Sequence, residues 1–205
     1  METPPGRKPA RPRRDIPAGP APDAARLREA ALAHLARFGT TEAGLRRVLQ
    51  RRVDRWARRA EAEGQLAETI APAAAQAKQA AAEVAQALAK AGAVDDEAFA
   101  AARARRLNQA GRSRRAIAAH LAVKGVPAAT AAGLLEETDE LAAALGHLRR
   151  RRAGPFAAEQ PPSPEARLKA LGALARAGFS RDLAERALDM DPEDATDRLL
   201  AARRG

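Results

Sequence analysis

Apolar residues recur at steps of three and four along most of this chain, which is the spacing of one face of an α-helix. The clearest stripe follows Thr41 and runs through Leu45, Leu49, Val53 and Trp56. Val, Ile and aromatic residues nowhere alternate with polar ones at the period of two that indicates a β-strand. Ala, Leu, Arg and Glu, which are good helix formers, dominate the composition. The pattern therefore predicts an all-α fold.

Start and stop signals divide the first half of the chain into helices. The first helix is predicted to run from Asp23 to Gly39, and the second to follow Thr41 and continue to about Ala62. Pro72 is expected to break the Ala- and Gln-rich stretch that comes next, because proline cannot donate a helical hydrogen bond. An inserted helix is therefore expected ahead of a further Ala-rich helix.

The most complete start signal lies at residues 94–99. Asp95 is placed to cap a helix, Asp96 puts a carboxylate in its first turn, and Val94 can pack on Phe99. A metal or acid-base role for the two aspartates is the alternative, but no third carboxylate or histidine stands at ligand spacing. We interpret the pair as a helix cap.

Similar signals continue to the end of the chain. Ser113 can cap a helix that ends at Gly125, and Pro127 stands at the start of the next. Ser163 opens a later helix, and Ser180 is predicted to start the last one.

The chain also contains an internal sequence repeat. An offset of 53 positions pairs Gly125 with Gly178 and Val126 with Phe179, and a third copy fits at an offset of 72, with Val53 in place of the glycine. A chance match between Ala- and Leu-rich helices is the alternative, but glycines and caps fall in phase. Because each copy is too small to bury its own apolar face, neighbouring copies are expected to pack together.

These signals give a domain plan. We expect a disordered Pro- and Arg-rich tail over residues 1–22, because seven prolines there disfavour a packed element. A first three-helix repeat with an inserted helix is expected over 23–94, a second repeat over 95–138 and a third over 139–205.

The net charge of the chain indicates which class of partner it binds. The chain has 36 Lys and Arg against 26 Asp and Glu, a net charge of +10. Such a surface attracts polyanions, which favours nucleic acid, or a protein that coats nucleic acid, as the partner. A genome rich in G and C is the alternative source of the arginine excess. The chain has no Cys, no signal-peptide pattern and no apolar run of membrane-spanning length, so a cytoplasmic location is expected.

Recurring cations are the candidate contact residues. They repeat along one face of the second helix and crowd the second repeat and the start of the third. On the functional interpretation they meet acidic patches and DNA phosphates, and on the alternative they are solvated outer faces of helices. The candidates are Arg47, Arg51, Arg55, Arg58, Arg103, Arg106, Arg112, Arg114, Arg115, Lys124, Arg149 and Arg150.

Signals for catalysis are missing from the sequence. It has no phosphate-binding glycine loop, no dinucleotide fingerprint and no nucleophile-base pair. The histidines, His34, His120 and His147, stand singly on predicted helices. We therefore expect no catalytic residue, no cofactor and no metal site.

Two motifs resemble the RecX family of RecA regulators. The first is Leu-x-x-x-Gly-x-x-Asp-Asp-x-x-Phe-Ala, from Leu88 to Ala100, and the second is Gly-x-x-x-x-x-Ile-x-x-x-Leu-x-x-Lys-Gly-Val, from Gly111 to Val126. Thr41-Glu42 with Leu45 and Leu49 also fit, so that the resemblance covers residues 23–135. Its structural motif residues here are Asp95, Asp96, Phe99, Gly111 and Gly125.

The resemblance implies both a fold and a function. It implies three tandem three-helix repeats in an elongated, curved array that lies in the groove of the RecA-DNA filament. Such a monomeric regulator would block filament growth and dampen ATP hydrolysis, strand exchange and coprotease activity by RecA. The alternatives are a basic helical module that binds DNA directly and nonspecifically, and a generic helical scaffold.

Overall fold

The computed structural model describes residues 17–204, and within them it contains ten α-helices and no strand. The prediction of an all-α fold is confirmed. In chain order the helices are α1 Ala24–Leu35, α2 Glu42–Ala62, α3 Ala67–Lys90, α4 Asp96–Gln109, α5 Arg114–Lys124, α6 Ala128–Glu136, α7 Glu140–Arg151, α8 Pro164–Arg176, α9 Arg181–Leu188 and α10 Pro192–Arg204, with one 3-10 turn over Gly154–Phe156.

Side-chain caps begin most of these helices where the sequence predicted them. In each case a side-chain oxygen accepts a hydrogen bond from the backbone N–H three residues later, which satisfies one of the donors left free at a helix start. The predicted caps confirmed in this way are Asp23, Thr41, Asp95, Ser113, Ser163 and Ser180.

The predicted break at Pro72 is wrong, since α3 continues through it. Pro72 lies in the second turn of α3, where a missing N–H removes a single hydrogen bond, to Glu68. Ile70 is buried against the core and holds this turn in place, and the surrounding alanines favour the helix. The insertion in the first repeat therefore lengthens its third helix and does not form a separate one.

The sequence predicted that the helix after Ser180 is the last one, and this prediction is wrong. That helix ends at Leu188, and α10 begins after Asp191, whose Oδ1 accepts a hydrogen bond from the N–H of Glu193 at 2.8 Å. An aspartate followed by proline is a helix start signal that the apolar pattern alone did not reveal. Leu199 of α10 is buried in the same cluster as the residues of α7.

Residues 17–22 differ from the predicted disordered tail, whose residues 1–16 lie outside the described part of the chain. The indole N–H of Trp56 donates to the carbonyl of Gly19 at 3.0 Å, and the N–H of Ala18 donates to Glu63. Ala18 and Ala21 also pack on the core. A proline-rich segment keeps its carbonyls free to accept hydrogen bonds, which explains how this one can lie along α2.

Three separate hydrophobic clusters hold the helices together, and we use them to define three units. Unit 1 comprises α1–α3 around Leu45 and Leu49, unit 2 comprises α4–α6 around Ile117 and Leu121, and unit 3 comprises α7–α10 around Leu145 and other buried residues. Each cluster draws its residues from one continuous stretch of the chain.

Candidate functional site

The middle helices of successive units, α2, α5 and α8, meet end to end through buried hydroxyls. Thr41 Oγ1 caps α2 and also donates to the carbonyl of Lys124, at the end of α5, at 2.6 Å. Ser113 Oγ caps α5 and donates to the carbonyl of Ala177, just after α8, at 2.7 Å. Thr41 and Ser113 are the buried polar residues of the described chain, at 1% and 0% exposure. Each hydroxyl therefore joins two units.

A glycine makes each of these close approaches possible. Gly125 and Gly178 have φ of +90° and +89°, a conformation that disfavours other residues. A Cβ on Gly125 would overlap the Cβ of Ala43, and one on Gly178 would lie 2.8 Å from Ser113 Oγ. The predicted motif residue Gly125, and its repeat equivalent, therefore set the contact between units.

Acidic residues complete both junctions. Asp96, in the first turn of α4, accepts from the backbone N–H of Glu42 at 2.8 Å, and Glu140, in the first turn of α7, accepts from the N–H of Arg114 at 3.1 Å. Asp95 caps α4. Both aspartates of the predicted pair thus satisfy helix N–H groups, in agreement with the cap interpretation. No cluster of three or more potential metal ligands occurs among the described residues.

Arg114 and Arg47 are two of the candidate contact residues that are engaged inside the molecule. The guanidinium of Arg114 donates to the carbonyls of Glu136 and Thr138 at 3.1 and 2.8 Å and lies 3.8 Å from the carboxylate of Glu140. Arg47 donates to the carbonyl of Lys124 at 3.0 Å. These side chains stabilise the junctions and are only partly available to a partner.

A group of cations surrounds His120 in unit 2. Arg103 Nε donates to His120 Nε2 at 2.9 Å. Burial lowers the pKa of His120, and the positive charges of Arg103, Lys124 and Arg112 lower it further. This histidine is therefore neutral at pH 7 and lies among positively charged side chains.

A second group surrounds His147 in unit 3. Burial lowers the pKa of His147, and Arg151, Arg150 and Arg112 lower it further. The pKa of Arg150 is itself lowered, first by burial and then by Arg112, Arg149 and Arg151. Because Arg112 acts on both histidines, it links the two groups across the junction of units 2 and 3.

We group the cations that lower the pKa values of His120, His147 and Arg150 with these residues, and call this set the cationic surface. None of its arginines or lysines has a carboxylate within ion-pair distance among residues 17–204. Arg151, His120 and His147 were not predicted, although Arg151 belongs to an evident basic run. The cationic surface consists of Arg103, Arg112, Lys124, Arg149, Arg150 and Arg151 with His120 and His147.

The other candidates lie elsewhere. Arg51, Arg55 and Arg58 are exposed on α2, in unit 1. Arg106 lies beside an open groove of about 470 Å³. Arg115 is exposed next to Gly178. The structure therefore brings together about half of the predicted contact residues.

The remaining motif residues have structural surroundings. Gly111 is buried with φ of +67°, and a Cβ there would lie 2.9 Å from the carbonyl of Ala143. Arg150 Nη2 donates to the Gly111 carbonyl at 3.4 Å, across units 2 and 3. Phe99 is half-buried near Gly39.

No helix in the described part of the chain is both long and apolar enough to span a membrane.

Comparison with known proteins identifies relatives. The family model for the second three-helix domain of RecX matches residues 95–135, which correspond to α4–α6. A protein of Myxococcus xanthus strain DK1622, named regulatory protein RecX, is 38% identical over 170 residues, which cover 81% of this chain and 86% of that protein. The regulatory protein RecX of Agrobacterium fabrum strain C58 is 36% identical over 110 residues, which cover 54% of this chain and 59% of that protein.

Proposed function

Since this chain belongs to the RecX family of regulatory proteins, we propose that it binds the RecA-DNA filament and restrains its activity. In this proposal the chain lies along the filament groove, blocks filament growth and promotes net disassembly. ATP hydrolysis, strand exchange and coprotease activity by RecA then fall together, because all three require the filament.

The cationic surface is the observation that carries the proposal. Six arginine and lysine side chains belong to it, and none of them has a carboxylate partner among residues 17–204. Their positive charge is part of the reason why the pKa values of His120 and His147 are lowered. An anionic partner would relieve this repulsion and displace counterions, both of which favour binding. In this proposal the surface meets acidic patches of RecA and DNA phosphates of the filament.

The junctions support this use of the surface because they fix its shape. Arg112 belongs to unit 2 and Arg149–Arg151 to unit 3, so their spacing depends on the junction built by Ser113, Gly178 and Arg114. Charges held in place before binding lose less entropy when the partner arrives.

We also propose that the chain acts by binding alone. ATP hydrolysis in the complex would belong to RecA, and the site of action would be the cytoplasm, where the filament forms. The surface contributes charge and hydrogen-bond donors, which serve recognition.

The test is ATP hydrolysis by the cognate RecA on single-stranded DNA, with this chain added below the amount of RecA. The wild-type chain should reduce hydrolysis. The combined change Arg112→Glu, Arg149→Glu and Arg151→Glu should raise the concentration needed for half-inhibition by at least about tenfold, because three contacts become repulsive. The matched control is Arg105→Glu, Arg176→Glu and Arg186→Glu, three exposed arginines outside the surface, which should inhibit nearly as well as wild type.

Binding to naked DNA is measured in parallel. Equal loss of inhibition in both triple variants would refute the cationic surface as the contact site. Tight binding to naked DNA with unaltered RecA hydrolysis would contradict filament regulation and favour the direct DNA-binding module.

A further inference from the structure

A second cationic site lies on unit 1, where residues 17–22 cross α2. The segment is fixed by the hydrogen bond from Trp56 Nε1 to the Gly19 carbonyl and by the contact of the Ala18 N–H with Glu63. We call residues 17–22 the strap. The strap and helices α1 and α2 line an open cavity of about 360 Å³.

Four arginines line this cavity, which we call the cradle. Arg26 comes from α1, while Arg52, Arg55 and Arg59 come from successive turns of α2. The rest of its lining consists of Pro17, Ala18, Pro20, Pro22 and Trp56. Of the four arginines only Arg55 was among the residues predicted from the sequence to contact a partner.

No carboxylate lines the cradle, and none of its arginines forms an ion pair with another described residue. The nearby acids are engaged elsewhere, since Asp54 pairs with Lys78 at 2.8 Å and Glu63 accepts from the strap. Four like charges around one cavity repel one another, and an anion between them would remove that repulsion.

We propose that the cradle is a binding site for the phosphate backbone of nucleic acid. Arg52, Arg55 and Arg59 are spaced by three and four residues, which on a helix places them along one side at steps of about 4.5–6 Å. Such a row can follow several phosphates of one strand, and guanidinium groups bind phosphate oxygens in pairs. The site does not depend on RecA and is separate from the cationic surface.

The chemistry of the cradle favours nucleic acid over an acidic peptide. A peptide ligand needs apolar anchors, and the cradle is lined mostly by guanidinium groups and prolines. A high linear density of positive charge matches a polyphosphate better than a few carboxylates.

Trp56 provides a direct test, because it lines the cradle and is the single Trp of a chain without Tyr. The full chain is titrated with a short DNA duplex at low salt while tryptophan emission is recorded, and binding is measured separately by anisotropy of a labelled duplex. We expect a saturable change of Trp56 emission with the same midpoint as the anisotropy change.

Variants assign that signal to the cradle. The change Arg26→Gln, Arg52→Gln, Arg55→Gln and Arg59→Gln should weaken duplex binding by at least about tenfold and reduce the slope of log Kd against log salt by about two to four. The matched control is Arg37→Gln, Arg105→Gln, Arg176→Gln and Arg186→Gln, which removes the same charge from other exposed positions. Thermal unfolding shows whether each variant is folded.

Two results would overturn the proposal. One is equal loss of affinity and slope in the cradle variant and its control, which would indicate a general charge effect. The other is an identical Trp56 change with poly-glutamate at the same charge concentration, which would assign the cradle to acidic proteins. A folded Arg112→Glu, Arg149→Glu and Arg151→Glu variant should keep the Trp56 response, so failure of the RecA proposal and failure of this one are distinguishable.

Discussion

The two junctions between units share one design in their backbone contacts and differ in their arginines. At each, a buried hydroxyl of one unit donates to the end of the middle helix in the next, beside a glycine of positive φ. The first junction, between units 1 and 2, adds a single guanidinium bond, from Arg47. The second, between units 2 and 3, adds Arg114 with several partners and Arg150.

This difference shows that neighbouring arginines of one basic run can have different surroundings and roles. Arg112 and Arg114 are two residues apart, yet one is exposed on the cationic surface and the other is fixed against α6. Because both residues are arginine, the sequence does not indicate which of them is exposed and which is fixed. The backbone geometry of the junction decides it, because carbonyls left free at the end of α6 need donors.

The largest expected effect tests the shared glycine. Gly125→Ala should lower the free energy of unfolding by about 3 kcal/mol, because it combines strain at positive φ with overlap against Ala43. Gly64 is the matched control, since it ends α2 with φ of +81° and has nothing within 4 Å of an added Cβ. Gly64→Ala should cost about 1 kcal/mol from strain alone. Urea unfolding measures both, and equal losses would refute a close contact at Gly125.

Much of this fold could be predicted from the sequence because local signals carry it. Caps such as Asp95 and Ser113 act within one turn, and the offset that pairs Gly125 with Gly178 marks the same φ in both. Continuation of α3 through Pro72 could not be predicted, because burial of Ile70 outweighs the local break. Tertiary packing decides such cases.

Less of the candidate site could be predicted. The sequence indicated which residues carry charge, but not which of them share a surface. The link from Arg112 to both His120 and His147 depends on how units 2 and 3 meet. The strap was missed for a similar reason, since its hydrogen bond to Trp56 joins residues 37 positions apart.

The next effect tests the buried hydroxyls. Thr41→Val keeps the shape of the side chain but removes its bonds to Gly44 N and Lys124 O, which should cost about 2 kcal/mol. Ser113→Ala should cost about the same, because its hydroxyl has the equivalent partners. Thr41→Ser retains the hydroxyl and is the control, with an expected loss below about 1 kcal/mol. An unchanged free energy of unfolding in Thr41→Val would contradict a stabilising role of the hydroxyl, and equal losses in Thr41→Val and Thr41→Ser would show that the methyl group contributes as much as the hydroxyl.

A smaller effect separates the two neighbouring arginines. Arg114→Met should lower the free energy of unfolding by about 1–2 kcal/mol, since carbonyls at the end of α6 lose their donor. Arg112→Met should change it by less than about 0.5 kcal/mol, as is usual for an exposed side chain. Binding to the RecA filament should show the opposite order, with the greater loss for Arg112→Met. The same order in both measurements would contradict the division of roles.

The smallest effect concerns pH, since one histidine lies beside each junction. Burial and neighbouring cations hold the pKa of His120 and of His147 below the ordinary value of 6.5. Between the lowered value and 6.5 the unfolded chain therefore binds more protons than the folded chain. The contribution of these histidines to stability is thus complete above about pH 6.5 and falls as the pH decreases through the folded pKa.

Urea unfolding at pH 7.5 and 5.5 measures this effect. The free energy of unfolding of the wild type should be lower at pH 5.5, and this loss should be smaller in His120→Gln and in His147→Gln. Anion binding should show the reverse trend, because a bound phosphate favours the protonated histidines and raises affinity as the pH falls. Equal pH dependence of wild type and the His120→Gln, His147→Gln double variant would contradict the lowered pKa values of the two histidines.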